Sequence, residues 1–169
     1  MTPLTQPKLA MRPMLPADVP LLAEIFRASI EELTGDDYSE AQQEAWLSVA
    51  DDEEEFGARL AGELTLVATY DGAAVGFAAL AGNKEIDMLY VHPAAAGQGV
   101  AAMLCDALEK LAAARGTKDL TVDASDTARG FFEKRGFKMQ KRNTFTLAGE
   151  WVANTTMTKA LTPQKGTLQ

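Results

Sequence analysis

Ile86-Asp87-Met88-Leu89-Tyr90-Val91-His92-Pro93-Ala94-Ala95-Ala96-Gly97-Gln98-Gly99-Val100-Ala101-Ala102-Met103-Leu104 is the stretch whose reading decides the fold. Its first part is an apolar run interrupted by one acid and ended by Pro93, which reads as a strand. After the glycines the period changes. Val100, Met103, Leu104, Ala107, Leu108 and Leu111 share one face of a long helix over 97–115, and Gly116 sits where a helix-ending glycine belongs. Between strand and helix lies a glycine pair. Glycine lets the backbone approach a ligand and accepts positive φ. The first N–H groups of a helix are unpaired and lie at its positive dipole end. Together these make an anion site suited to a pyrophosphate, with a plain tight turn as the other reading. No Gly-Lys-Ser/Thr follows, which excludes a P-loop. Ala102 occupies the third-glycine position of the dinucleotide fingerprint, and the preceding strand belongs to a hairpin meander, which excludes that motif as well.

Working outward, residues 8–13 read as a strand. Asp18 is placed as the cap of a helix to about Leu33, carried by Leu21, Leu22, Ile25, Phe26 and Ile30. Ser39 caps a second helix, 39–49, and the acidic run Asp51 to Glu55 opens a third, 52–61. Strands follow at 64–70, 74–80 and 85–91, divided by the turn signals Asp71-Gly72 and Gly82-Asn83. Beyond the long helix come a strand at 120–124, a short helix at 126–134, and strands at 137–147 and 150–160 divided by Ala148-Gly149. This order predicts an α/β fold: one domain over 1–161, with a mixed sheet of antiparallel hairpins and then a strand–helix–strand crossover. Residues 162–169 are expected to fray.

Hydrophobic residues make up 47% and charged residues 24%, an ordinary globular composition that excludes disordered and collagenous classes. No apolar run reaches the ~20 residues of a membrane span, and Met1 to Ala10 lacks a secretory apolar core. A reduced, cytoplasmic protein without a membrane partner is expected. Cys105 alone forms no internal disulfide and no multi-cysteine metal site, and it is expected to pack. His92 alone leaves no His-rich metal site, so no metal is expected. The net charge is −8. Residues 1–60 hold 13 acids and 4 bases, whereas residues 61–169 hold 11 acids and 12 bases. An acidic first third argues against a nucleic-acid partner and suits a cationic one. Trp46 and Trp151 are placed in the core or in a binding wall, and Asn154 in a polar contact of the last strand.

Two motifs resemble the GCN5-related N-acetyltransferase family. Ala96-Gly97-Gln98-Gly99-Val100-Ala101 is similar to its Gln/Arg-x-x-Gly-x-Gly/Ala hallmark, a few residues after a Val-x-Pro. Phe131-Phe132-Glu133-Lys134-Arg135-Gly136-Phe137 resembles its Phe-Tyr-x-x-x-Gly-Phe. The element order matches over about residues 8–160. The Tyr38-Ser39-x-x-Gln42 to Trp46 segment and Asn154-x-x-Met157-x-Lys159 resemble a bacterial YafP-like branch. Three positions depart from the pattern: Ala96 replaces Gln/Arg, Ser125 an Asn, and Phe132 a Tyr that protonates the departing thiolate.

The resemblance implies about seven strands flanked by helices, splayed between the fourth and fifth. Acetyl-CoA would lie in that gap as co-substrate. Its pantetheine would pair with the backbone of Leu89 and Val91 around Tyr90. Its pyrophosphate would rest on Gly97, Gln98, Gly99, Val100, Ala101 and Ala102. Ser125, Arg129 and Phe132 would stand nearby. The cluster Arg129, Lys134, Arg135, Lys138, Lys141 and Arg142 would attract the phosphorylated adenosine or form a solvated face. An acid at the strand positions of Glu85 and Asp87, which share a face, serves several members as base. Asp87 is placed first, Glu85 second, with surface carboxylates as the other reading. Tyr90, Tyr38 or a water is the candidate acid. The implied activity is transfer of an acetyl group to a primary amine of a small, cationic acceptor. The alternatives are a CoA-binding sensor without catalysis and a protein N-acetyltransferase. A homodimer through the C-terminal sheet edge is compatible with the family.

Overall fold

A computed structural model describes residues 8–162. The elements run β1 (Leu9–Pro13), α1 (Val19–Leu33), α2 (Glu40–Leu47), α3 (Glu53–Ala61), β2 (Leu64–Tyr70), β3 (Ala73–Ala81) and β4 (Glu85–Val91). They continue as α4 (Val100–Ala114), β5 (Asp119–Ser125), α5 (Arg129–Lys134), β6 (Lys138–Leu147) and β7 (Glu150–Ala160). The seven strands form one sheet in the order β1-β2-β3-β4-β5-β7-β6. Every pairing is antiparallel except β4 with β5, the crossover carried by α4. The tail expected to fray lies outside the described residues beyond Thr162.

Hairpin chemistry sets the first half of the sheet. Asp71 and Asn83 take positive φ (49° and 63°), the left-handed turn conformation that Asn and Asp tolerate best after glycine. The helices then divide between the two faces. Leu22, Ile25, Phe26, Ile30, Phe56 and Leu60 pack on Val67, Phe77, Ala79 and Met88. On the other face Val100, Leu104, Leu108 and Ala112 pack on Ala78, Leu80, Ile86 and Leu120. α4 lies close because residue 76 is glycine: a Cβ there would stand 3.0 Å from Val100 Cγ1 and 3.1 Å from the Tyr90 carbonyl oxygen.

Three local expectations change. Asp18 stands at the head of α1 but makes no side-chain cap bond into that helix. Its carboxylate takes two hydrogen bonds from Arg12 (2.7 and 2.8 Å) and one from the Leu15 N–H (2.7 Å), a stronger set than one cap bond. α4 starts at Val100 because Gly99, at φ 84°, cannot be helical. α5 starts at Arg129, since 126–128 form a turn closed from the Ala128 N–H to the Ser125 carbonyl (3.1 Å).

Phe77 is fully buried, with ring centroids 6.3 Å from Phe56 and 5.8 Å from Tyr90. Phe77→Ala is expected to cost about 3–5 kcal/mol in urea unfolding, with an unchanged denaturant slope.

Candidate functional site

The site begins as a fault in strand pairing. Ala79 pairs with Met88 and Leu80 with Ile86, which leaves Asp87 as one extra residue on β4. Such a bulge bends a strand and reverses which residues face which neighbour. Ahead of it, the Lys84 carbonyl accepts from the Thr121 N–H of β5 (2.9 Å). After it, the His92 N–H donates to the Val75 carbonyl (2.8 Å), so His92 and, by alternation, Tyr90 turn their backbone groups to β3. Leu89 and Val91 therefore present theirs to the opposite side. No β5 residue pairs with them, because β4 and β5 pair only at Glu85–Thr121 and Ile86–Val122. β5 stays paired with β7 along its whole length. The V-shaped gap thus runs between Leu89–Val91 and Asp123–Ser125, in place of a closed ladder.

The gap opens into a cavity of about 270 Å³. Trp46, Phe145, Leu147 and Val152 supply apolar walls, and Glu85, Asp87 and Asp123 supply acids. Phe132 and Ser125 also line it. Beside the gap, Gly97 and Gly99 take φ 77° and 84°, with no atom near the position a Cβ would fill. The first bond into α4 runs from the Met103 N–H to the Gly99 carbonyl (3.0 Å). The N–H groups of Val100, Ala101 and Ala102 ahead of it have no intrahelical partner. Ala96, Gly97, Gln98 and Gly99 are exposed. Gln98 Nε2 bends back toward the Ala94 carbonyl (3.4 Å). His92 Nδ1 accepts from the Ala94 N–H (3.1 Å), a capping role at the strand end.

The side chains sort differently from the expected list. Asp87 accepts two hydrogen bonds from Arg59 of α3, 2.9 Å from Nε and 2.8 Å from Nη2. Burial favours the protonated form of Asp87, but the bonds from Arg59, helped by the neighbouring Glu63, outweigh it and hold its carboxyl below the usual range. Glu85 has no such cation clamp. Partial burial, then the charges of Asp123 and Asp87, raise its carboxyl above the ordinary glutamate value.

The two tyrosines are committed to the scaffold. The Tyr90 hydroxyl accepts from Trp46 Nε1 (3.2 Å), and its ring packs against Phe26 and Phe77. Burial raises that phenol, which opposes proton donation. The Tyr38 hydroxyl donates to the Ala153 carbonyl (2.9 Å) and accepts from the Asp126 N–H (2.8 Å). Its one proton is therefore engaged, and burial raises its phenol as well.

Arg129 does not line the cavity; it pairs with Glu133 (2.7 Å) one turn along α5. Two further members of the expected basic cluster are internal ties. Arg135 reaches Asp106 (2.8 Å) and Glu109 (3.2 Å) of α4, and Arg142 holds Asp126. Ser125 Oγ accepts from the Ala128 N–H (3.1 Å) and closes the turn into α5. Phe132 is buried between Phe131 and Phe137, each 5.1 Å away between ring centroids. Trp46 is a wall residue, but Trp151 points outward and is 66% exposed, on the opposite side of β7 from Val152. Asn154 lines the cavity and accepts from Asn143 Nδ2 (2.9 Å). Cys105 is fully buried, and burial, then Glu109, pushes its thiol up to about 12.

Sequence reasoning missed Arg59, Asp123 and Glu63. Arg59 carries a faint signal, as a lone base ending an acidic helix. The others carry none. Among the described residues, no three His, Cys, Asp or Glu side chains are placed to hold a metal, and no helix is long and apolar enough to cross a membrane. Arg59→Met removes the cation from Asp87. It is expected to cost about 1 kcal/mol in chemical denaturation, the half-exposed guanidinium being screened by water. It is also expected to move the Asp87 titration upward.

Comparison with known proteins agrees with this geometry. The family description "Acetyltransferase (GNAT) domain" matches residues 34–161. A crystal structure of a GCN5-related N-acetyltransferase from Rhodopseudomonas palustris is 60% identical, covers 95% of this chain and 99% of its own, and superposes with a TM-score of 0.89. The uncharacterized N-acetyltransferase YafP of Escherichia coli strain K12 is 34% identical over 146 residues, 86% of this chain and 92% of that protein. PaiA N-acetyltransferase from Thermoplasma acidophilum, solved in complex with coenzyme A, shares 23% identity over 90% of this chain and 99% of its own, with a TM-score of 0.73. The glycine turn, the splayed strands and these relatives agree: the chain belongs to the GCN5-related N-acetyltransferase family.

Proposed function

We propose that the protein transfers the acetyl group of acetyl-CoA to a primary amine of a small cationic acceptor. The observation that carries this reading is the gap, where the backbone groups of Leu89 and Val91 face away from β3 and meet no partner on β5. Those groups suit the amides of the pantetheine arm. The left-handed glycines and the free N–H groups at the head of α4 suit the pyrophosphate. No cation stands at residue 96, so the phosphates rely on backbone donors. That PaiA, which shares this fold, was solved in complex with coenzyme A supports coenzyme A as the ligand.

The acceptor enters between the acids Glu85, Asp87 and Asp123 and the walls Trp46 and Phe145. Acids and an aromatic wall favour an ammonium group. Glu85 takes the proton from the ammonium, directly or through water, because Asp87 is clamped by Arg59. The freed amine attacks the thioester carbon, forming the C–N bond. An N–H of Leu89 or Val91 stabilises the oxyanion. The C–S bond breaks and the nitrogen gives up its second proton as the amide forms; the leaving thiolate, with a pKa of about 8.5, takes up that proton through water, so Phe132 in place of a tyrosine is no obstacle.

The test is thiol release from acetyl-CoA with 1,4-diaminobutane, Nα-acetyl-lysine amide and a lysine peptide. The diamine is expected to turn over fastest, and a preference for the peptide would move the reading to protein acetylation. Glu85→Gln is expected to lower kcat/KM by ~10²–10⁴-fold, with acetyl-CoA binding intact by calorimetry. The wild-type rate is expected to fall with falling pH as Glu85 protonates, above the pH at which an ordinary glutamate would. Ala96→Arg is expected to tighten acetyl-CoA binding about two- to five-fold, the gain of one exposed ion pair. Binding without turnover on any amine would favour a CoA sensor, and no acetyl-CoA binding would overturn the proposal.

A further inference from the structure

Behind Asp87 stands a carboxyl group that this scheme leaves unused. Glu63 follows α3 directly, its N–H bonded to the Leu60 carbonyl (3.2 Å). Its Oε1 is closed off from solvent and has no hydrogen-bond partner among the described residues. After burial, the neighbouring Asp87 carboxylate acts on it most strongly. Two carboxyl groups therefore meet, while the guanidinium beside them gives both of its bonds to Asp87. A buried carboxylate oxygen without a donor is costly. A protonated carboxyl removes the cost, because it turns the orphaned acceptor into a donor with Asp87 as its acceptor.

We propose that Glu63 is the proton-holding residue behind the cavity wall: it donates a carboxyl hydrogen bond to Asp87 while Arg59 grips the same carboxylate. The proposal rests on reading the cavity as the acceptor site. The charged groups that act on Glu63 are Asp87 and Glu85 from β4 and Arg59 from α3. Burial, then the bond to Asp87 and its charge, raise the Glu63 carboxyl to about 7. Below that pH the set of Glu63, Asp87 and Arg59 is neutral. Above it the set gains one negative charge. A cation in the cavity favours the charged state, so acceptor binding and loss of the Glu63 proton are linked. Glu63 works through Asp87 and is a positioning residue.

The deciding experiment is a carbon-13 NMR titration of glutamate carboxyls in the full chain without ligand, with Glu63 identified by the resonance lost in Glu63→Gln. Glu63 is expected to titrate in the neutral range, and at lower pH in Asp87→Asn. Stability gives a second readout. A carboxyl raised on folding stabilises the native state below its unfolded pKa and loses that contribution as pH rises through its folded pKa. The urea midpoint should thus fall from pH 5 to pH 8 more in the wild type than in Glu63→Gln. The KM for 1,4-diaminobutane should be higher at pH 6 than at pH 8, by up to about ten-fold, the limit for one linked proton with a pKa of about 7. It should flatten in Glu63→Gln, whose amide donates to Asp87 at every pH. A Glu63 that titrates in the ordinary carboxylate range overturns the proposal. A Glu63 that titrates near neutrality in a protein that acetylates no amine upholds the shared proton and overturns the acceptor reading.

Discussion

One unpaired residue, Asp87, sets the geometry of everything around the cavity. The register shift between Ala79 and Leu80 opposite it changes which β4 residues face β5. In a regular strand that began with Lys84 bonded to β5, Met88 and Tyr90 would turn their backbone toward the gap. The shift gives that place to Leu89 and Val91. It also sets Asp87 and Met88 on the same side of the sheet, so that Asp87 meets Arg59 of α3 while Ile86 and Leu89 pack under α4. Unpaired backbone groups facing the gap and an acid held by α3 come from the same local defect.

Around that defect, rigidity and reactivity are divided between residue types. The rings of Phe56, Phe26, Phe77, Tyr90, Trp46 and Tyr38 form a chain of edge and tilted contacts behind the cavity. The two phenols in it each have a fixed partner, so they stiffen the wall. The carboxyl groups sit in different environments: Asp87 is clamped by a guanidinium, Glu85 lines the cavity without one, and Glu63 is partly buried beside another acid.

The positions of the elements were legible because their signals are local. Asp71-Gly72 and Ala148-Gly149 mark hairpins, and the spacing of Val100, Leu104 and Leu108 marks α4. The glycine turn was legible for the same reason, since positive φ leaves a mark in composition. What stayed hidden depends on partners far along the chain. Arg59 reads as an ordinary helix-ending base until β4 arrives 28 residues later with Asp87. Arg129 and Arg135 read as equivalent members of a basic cluster, yet they differ in whether an acid of α4 lies within reach. Trp151 reads as a core or wall aromatic, and only the alternation of β7 turns it to solvent. The bulge itself has no motif; β4 contains neither glycine nor proline to announce it.

The Tyr38 hydroxyl joins segments separated by 115 residues, toward Ala153, and by 88, toward Asp126. Non-local links of this kind are slow to close, because the chain between them must be ordered before the bond repays the entropy. A ribosome that has released α1 and α2 has made only half of the cavity wall; the other half, on β6 and β7, follows far later in the chain. The N-terminal helices can dock on β2 and β3 during synthesis, but the pocket takes its shape only when β7 is inserted between β5 and β6. Closure of the cavity thereby waits for β7 to be synthesised.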